Sequence, residues 1–425
     1  MAEAWAERPL RGLIDKPVPG FWGEDISGLG LRSVRVVRNG DAASHYTLTE
    51  DDLALRWMHT AQIAKAGCRV NDVLLASSGE VGAVARLERT GGEVVVASNF
   101  VRRVRAREGI EASWLFFVLQ TGLARDAARR CSGGTTLQNL SGRFFDELLV
   151  PVPPRREQRR IAEILDTVDE AIFSTERLIA KLAQVKQGLL HDLLTRGIDG
   201  KGGVRPSIDV RPDLYCEGPG GQVPKEWDVG LLDSFATRGS GHTPNKNVPS
   251  YWDGGIRWVS LADSERLDNV WIQETDKEIS DLGLANSSAV KHVDGTVILS
   301  RDAGVGKSAI LVGTMAVSQH FMAWTCGPRL NNMYLYYWLQ RSKPRFEAIA
   351  MGSTIKTIGL PYFRRLEIAV PSGREQAVVA DVMLHSDRLI WKARIELDKL
   401  RAVKAGLIED LLSGRVRVKG DEGVA

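Results

Sequence analysis

The stretch Arg301-Asp302-Ala303-Gly304-Val305-Gly306-Lys307-Ser308 carries the residue types that wrap a nucleotide phosphate. Glycines let a turn close around an anion, a lysine neutralises it, and a serine hydroxyl can hold magnesium. The spacing argues against that chemistry. A phosphate-binding loop needs Gly, four residues, then Gly-Lys-Ser/Thr. Counting back from Gly306, the first glycine belongs at 301, where Arg301 places a β-carbon and a long side chain. A related segment, Ser77 to Leu87, keeps Gly82 but has Ala83 where Lys307 stands. A turn present twice, with the lysine in one copy only, is structural first and variable second.

Other catalytic chemistries lack their residues. An adenine methyltransferase needs Asn/Asp-Pro-Pro-aromatic, and the only Pro-Pro here, Pro153-Pro154, is flanked by Val152 and Arg155. The seven histidines are dispersed, and no carboxylate cluster with a lysine suggests a nuclease. Cys68, Cys131, Cys216 and Cys326 form no CxxC pair. A disulfide framework or zinc site is therefore not expected, and the cytoplasm is the expected compartment. The N-terminal residues lack the apolar core of a secretory signal, and no run of 18 apolar residues suggests a membrane span. The formal net charge of +3 permits nucleic-acid binding without arguing for it, so that case rests on local patches.

The elements that position the turn are written twice. RREQRRIAEILDTVDEAIFSTERLIAKLAQVKQGLLHDLLTRG aligns without a gap with GREQAVVADVMLHSDRLIWKARIELDKLRAVKAGLIEDLLSGR, 218 residues later. In the first copy Ile161, Val168, Thr175, Leu182 and Leu189 fall seven apart, with Leu165, Ile172, Ile179 and Leu193 beside them. The second places Val379, Ser386, Ala393, Leu400 and Leu407 on one row, with Met383, Ile390, Leu397 and Leu411 alongside. This heptad-like seam predicts two helices of about 38 residues, roughly 57 Å each, packed on one another as an antiparallel pair. Gly197 and the GIDGKGG segment stop the first. The preceding regions also repeat. DVLLASSGEVGAVARL (72–87) lies over TVILSRDAGVGKSAIL (296–311), WLFFVLQ (114–120) over YLYYWLQ (334–340), and GTTLQNLSGRFFDELLVPVP (134–153) over STIKTIGLPYFRRLEIAVPS (353–372). One α/β module is thus used twice, as residues 1–154 and 223–371. Helices follow at 155–198 and 372–418, and a Gly- and Pro-rich crossing linker at 199–222.

Module, REQ-initiated helix, module, REQ-initiated helix resembles the specificity (S) subunit of type I restriction–modification systems. The segments carrying the likeness are PVPPRREQRRIAEIL and AVPSGREQAVVADVM, KQGLLHDLLTRG and KAGLIEDLLSGR, and the start of the second module, VPKEWDVGLLDSFATRGSGHTPNKNVPSYWDGGIRWVS. The resemblance implies a mixed α/β (α+β) fold: two target recognition domains joined by two long antiparallel coiled-coil helices, with an internal pseudo-twofold repeat. It implies no catalytic activity and no cofactor. Each module reads one half of a gapped, bipartite double-stranded DNA target. The helices act as spacer and dock two S-adenosylmethionine-dependent methyltransferase (M) subunits, and a motor/nuclease (R) subunit joins for restriction.

Base reading needs Arg or Lys for guanine and Asn or Gln for adenine. The repeat-equivalent loops supply Ser300, Arg301, Lys307, Gln319, His320, Lys356 and Thr357 in the second module, with Arg301 and Lys307 flanking one Gly-rich turn. In the first they supply Ser77, Ser78, Asn99, Thr136, Gln138 and Asn139. Phosphate contacts, which position without specifying, are assigned to Arg102, Arg103, Arg105, Arg107, Lys246 and Arg257. Trp114, Tyr334, Tyr336, Tyr337 and Trp338 sit at helical spacing and read as core. Two rival readings remain on the residues alone: a nucleotide-binding enzyme around 301–308, and a coiled-coil scaffold without a DNA role.

Overall fold

The structure is a computed structural model of the 425-residue chain, describing residues 5–44, 47–48, 53–88, 92–133, 138–352 and 356–418. The chain divides into two compact units. One runs to Arg177 and resumes at Arg394; the other is Leu178–Ala393.

The first unit holds the first module. Its main sheet is ordered Val18–Pro19, Val101–Val104, Val73–Ala76, Val84–Leu87, Thr47–Leu48. A smaller sheet of Ala54–His59, Leu31–Val37 and Val95–Ala97 lies beside it in the module. Val73–Ala76 and Val84–Leu87 are buried at every position, as expected of strands covered on both faces. The helix Ala112–Val118 buries Trp114, Leu115, Phe116 and Phe117 in the core. It stops before Thr121, whose hydroxyl accepts from Ala124 N at 3.2 Å and caps the helix Gly122–Arg130.

The second unit repeats the plan. Its main sheet is ordered Ala236–Ser240, Phe321–Cys326, Val297–Ser300, Ser308–Leu311, Trp271–Ile272. The smaller sheet is Lys277–Ile279, Trp252–Val259, Met315–Val317, Lys291–His292. Here one helix, Asn332–Ile349, replaces the two shorter ones, capped by Asn331 accepting from Met333 N and Tyr334 N. Tyr334, Tyr336, Tyr337 and Trp338 are buried, as their spacing predicts. The two main sheets thus share one strand order, and the smaller sheet of the second module carries one further strand. The structure also shifts one stretch of the repeat: Leu140 N donates to Ser77 O as Ile358 N donates to Arg301 O, which pairs 140 with 358, one residue from the alignment read in the sequence.

The long helices are Arg155–Leu193 and Gly373–Leu412. Both end short of the expected 198 and 418. Gly197 and Gly414 take left-handed φ angles of 63° and 75°, the conformation that closes a helix C-terminus. A Cβ at Gly197 would meet the Trp227 ring at 2.6 Å, and one at Gly414 the Trp5 ring at 3.1 Å. Trp5 therefore does for the first module what Trp227 does for the second. Within the first unit, Ile161, Leu165, Leu411 and Leu412 share a core with Trp114 and Phe117. Within the second, Leu190, Leu193, Val379 and Met383 share a core with Trp324 and Tyr337. Each such side chain contributes about 1.5–3 kcal/mol by leaving water. The mid-seam residues Val168, Ile172, Leu182 and Leu400 are only half-buried.

The REQ motif is the clasp of each unit. Gln158 Nε2 donates to Pro153 O at 2.8 Å while its Oε1 accepts from Glu111 N at 2.9 Å. Gln376 repeats both bonds, to Pro371 O at 2.8 Å and from Asn331 N at 2.7 Å. Glu157 takes Arg417 in a bidentate pair at 2.9 and 3.0 Å. Glu375 pairs with Arg205 (3.1 Å to Nη2) and accepts from Ile198 N at 2.7 Å. The segment expected as a linker is therefore ordered within its unit: Arg205 anchors it, and Tyr215–Gly218 pairs with Gly221–Pro224 as a hairpin.

Candidate nucleic-acid interface

Residues 301–307 form a turn between two antiparallel strands, Val297–Ser300 and Ser308–Leu311, and not a strand-to-helix junction. Three of its donors are spent internally: Gly306 N on Ser300 O, Lys307 N on Gly304 O, and Lys307 Nζ on Ser264 O at 3.0 Å. The nucleotide-binding reading fails on this geometry, because the turn joins two strands and its lysine is spent on a backbone carbonyl. Lys307 also leaves the set of outward candidates.

What the turn does is bring separate segments together. Arg301 N donates to His320 O at 2.9 Å, Ile358 N to Arg301 O at 3.0 Å, and Asp302 bridges Thr357. His320 Nδ1 lies 2.7 Å from Asp302 Oδ2 and its Nε2 lies 3.3 Å from Gln319 Nε2. Gln319 Oε1 accepts from Thr243 Oγ1 at 2.7 Å. Gln319 thus lies between His320 and Thr243, its carbonyl accepting from the threonine, while His320 Nδ1 meets the Asp302 carboxylate. Arg301 Nε is 3.7 Å from Asp302 Oδ1 and has no hydrogen-bond partner. Gln319 and Lys356 are exposed, while Arg301, His320 and Thr357 are half-buried. Ser300 is fully buried, with Oγ bound to Asp302 O at 2.7 Å, and braces the turn instead of facing outward.

The first module builds the same frame with other side chains. Ser77 N donates to Phe100 O as Arg301 N does to His320 O. Ala76 N donates to Ala83 O as Ser300 N does to Lys307 O, and Ser78 bridges Asn139 as Asp302 bridges Thr357. Ser77 and Ser78 are buried, Ser77 Oγ being bound to Phe100 O at 2.9 Å, so both belong to the frame. Asn99, Gln138 and Asn139 are exposed. Thr136 lies outside the described residues. Two candidates absent from the sequence reading emerge here. Phe100 stands where His320 stands and is 48% exposed. Trp22 stands two residues beyond Gly20, whose Cβ would strike Ala97 O just as one on Gly241 would strike Val317 O. Trp22 therefore matches Thr243; it is exposed and stacked by Arg56 at 4.1 Å. Asp302 and Thr243 were missed likewise. Asp302 already lay within the aligned stretch 296–311, and extending the repeat alignment to positions 100 and 243 would have found two more.

The arginine row is largely internal. Its strand, Val101–Val104, lies inside the main sheet, so the side chains find backbone and carboxylate partners there. Arg102 Nη2 donates to Leu140 O at 3.2 Å, and Arg103 Nη1 to Gly67 O at 2.5 Å. Arg105 grips the buried Asp72 with two bonds of 2.7 Å, which raises the guanidinium pKa further. Arg257 donates to Gln273 O. Arg107 and Lys246 are exposed.

Two copies of one α/β frame, each presenting a different outward set beside a variable turn, define a doubled recognition protein. Among the described residues no cluster of His, Cys, Asp and Glu could hold a metal, and no helix is long and apolar enough to cross a membrane. The family model for the type I restriction modification DNA specificity domain matches residues 60–184 and 224–397. The MjaVIII specificity subunit of a type I restriction enzyme from Methanocaldococcus jannaschii is 22% identical over 423 residues, covering 96% of this chain and 89% of its own. The fold matches a type I S subunit from M. genitalium with a TM-score of 0.57 at 13% identity, over 97% of both chains. It also matches a chain from work on complex assembly and conformational transition of the type I R-M system, with a TM-score of 0.56 at 17% identity, over 98% and 99%. The chain belongs to the type I restriction–modification DNA specificity family. Its role is sequence specificity, not catalysis.

Proposed function

We propose that each module reads one half-site of a gapped DNA target, through Arg301, Gln319, His320 and Lys356 in the second and Trp22, Asn99, Phe100 and Gln138 in the first. The observation that supports this most is the shared backbone frame carrying different outward side chains. Identical hydrogen bonds hold a charged, polar set in one module and an aromatic, amide set in the other. Arginine suits guanine, amides suit adenine, and an aromatic edge suits the thymine methyl. Exposed Arg107 and Lys246 serve as phosphate contacts.

The long helices act as spacer and dock two methyltransferase subunits, with a motor/nuclease subunit in the full complex. Phe173 and Trp391, 218 residues apart in the repeat, are 54% and 64% exposed on the helices. Large apolar side chains left in water at matched positions suit a partner that binds twice. Methylome sequencing of cells expressing the chain with its methyltransferase tests the reading. A gapped motif is expected; one continuous short motif overturns the two-reader assignment.

A further inference from the structure

Asp302 carries a buried charge that the fold of its turn does not require. The residue is 7% exposed. The backbone around it is fixed without the carboxylate: Ser300 Oγ donates to Asp302 O at 2.7 Å, Arg301 N to His320 O at 2.9 Å, and Ile358 N to Arg301 O at 3.0 Å. The first module builds the same frame with Ser78 at this position, bridging Asn139 as Asp302 bridges Thr357. A serine therefore satisfies the frame. A carboxylate so withdrawn from water is destabilising unless it is paired.

Its partners are two of the residues assigned to base reading. Oδ2 lies 2.7 Å from His320 Nδ1. Oδ1 lies 3.7 Å from Arg301 Nε, and neither of these two atoms has a hydrogen-bond partner. Among the described residues the terminal nitrogens of Arg301 also take no partner, which leaves free the fork that guanine O6 and N7 accept from. The three positions change together between the modules: Arg301, Asp302 and His320 in the second are Ser77, Ser78 and Phe100 in the first. The carboxylate is present where the two basic readers are present and absent where they are absent.

We propose that Asp302 is a positioning residue for base reading by the second module. One carboxylate aims both readers: Oδ2 fixes the His320 ring, and Oδ1 holds the Nε side of Arg301 so that its terminal nitrogens meet guanine. Asp302 acts through these two side chains and touches no base itself. Setting the rotamer of a long side chain before DNA arrives removes an ordering cost from binding. The inference rests on the half-site reading and assigns that reading its geometry.

The test uses the full chain assembled with its methyltransferase partner, bound to duplexes in which each base pair of both half-sites is varied in turn. Arg301→Ala and His320→Ala mark the base pairs that each reader discriminates. A carboxylate has two acceptor oxygens and an amide one, so Asp302→Asn can serve His320 or Arg301 but not both. It is expected to lose about tenfold in discrimination at the Arg301 base pair, within the worth of one bidentate contact. Asp302→Ser, which places there the residue that the sister frame holds at 78, is expected to lose discrimination at both marked base pairs while keeping Tm near wild type. In both variants the other half-site profile stays unchanged and affinity for non-cognate DNA does not fall. In an Arg301→Ala background, Asp302→Asn should cause no further loss at the Arg301 base pair. A uniform loss of affinity for all duplexes would show a merely structural role and overturns the proposal. Discrimination lost in Arg301→Ala and His320→Ala but kept in both Asp302 variants overturns the proposal and leaves the half-site reading standing. A flat response to Arg301→Ala and His320→Ala overturns both.

Discussion

Lys404 of the second long helix meets Asp169 of the first at 2.7 Å, with side chains only 8% and 13% exposed. The second unit holds the same pair with the helices exchanged, Lys186 to Asp387 at 2.5 Å, with Tyr337 Oη donating to Asp387 at 2.9 Å. Lys186 and Lys404 each fill the one slot of the second seam row that lacks an apolar residue. Burial drives Lys404 below and Asp169 above their ordinary pKa ranges, and mutual attraction only partly offsets it. The pair therefore specifies register more than it stabilises. Either Asp169→Leu or Lys404→Met alone is expected to destabilise by about 3–5 kcal/mol, while the two together recover most of the loss. Denaturant titration of the four proteins measures the coupling; a double variant as unstable as the summed singles refutes it.

The clasp glutamines should behave alike in both units. Gln376→Ala leaves Asn331 N and Pro371 O without their side-chain partner, and Gln158→Ala does the same to Glu111 N and Pro153 O. Each should cost about 1–3 kcal/mol. Gln376→Glu can accept from Asn331 but cannot donate to Pro371, so its Tm should fall between wild type and Gln376→Ala.

Half-site independence is directly measurable. Arg301→Ala should reduce discrimination at one base pair of one half-site by about 1–3 kcal/mol. Phe100→Ala should alter only the other half. Binding to duplexes carrying single substitutions in each half-site checks both. An equal loss across both halves for either variant is inconsistent with one reader per module.

His292 makes stability depend on pH. Burial holds its imidazole below the ordinary range, only partly offset by its bond to Ser240 O. As pH drops below about 6.5, the unfolded chain takes up a proton that the folded chain resists, so stability falls toward acid. In His292→Gln, which keeps a donor for Ser240, the decline of Tm between pH 6.5 and 5 should be shallower than in wild type.

The family's doubled plan was legible because it is carried by periodicity and self-similarity. Val379, Met383, Ile390 and Leu397 declare a long helix with one buried stripe, and Tyr334 to Trp338 declare a core, whatever else the chain does. REQ was visible as a marker but mute as a mechanism. Its glutamate meets Arg417 or Arg205, and its glutamine meets the start of a helix 45 to 47 residues earlier. Nothing local encodes those partners.

The residue sequence by itself determined two modules, two helices and the variable turns, since these follow from local spacing and from comparing the chain with itself. Only the tertiary structure decided which turn residues face outward. Ser300 and Gln319 are both polar loop candidates in sequence, yet one is fully buried and the other exposed. The Arg102–Arg105 row reads as a basic patch until Leu140, Gly67 and Asp72 take its donors. Exposure and pairing depend on segments that meet only after the sheets close, and a single sequence records the residues without their meetings.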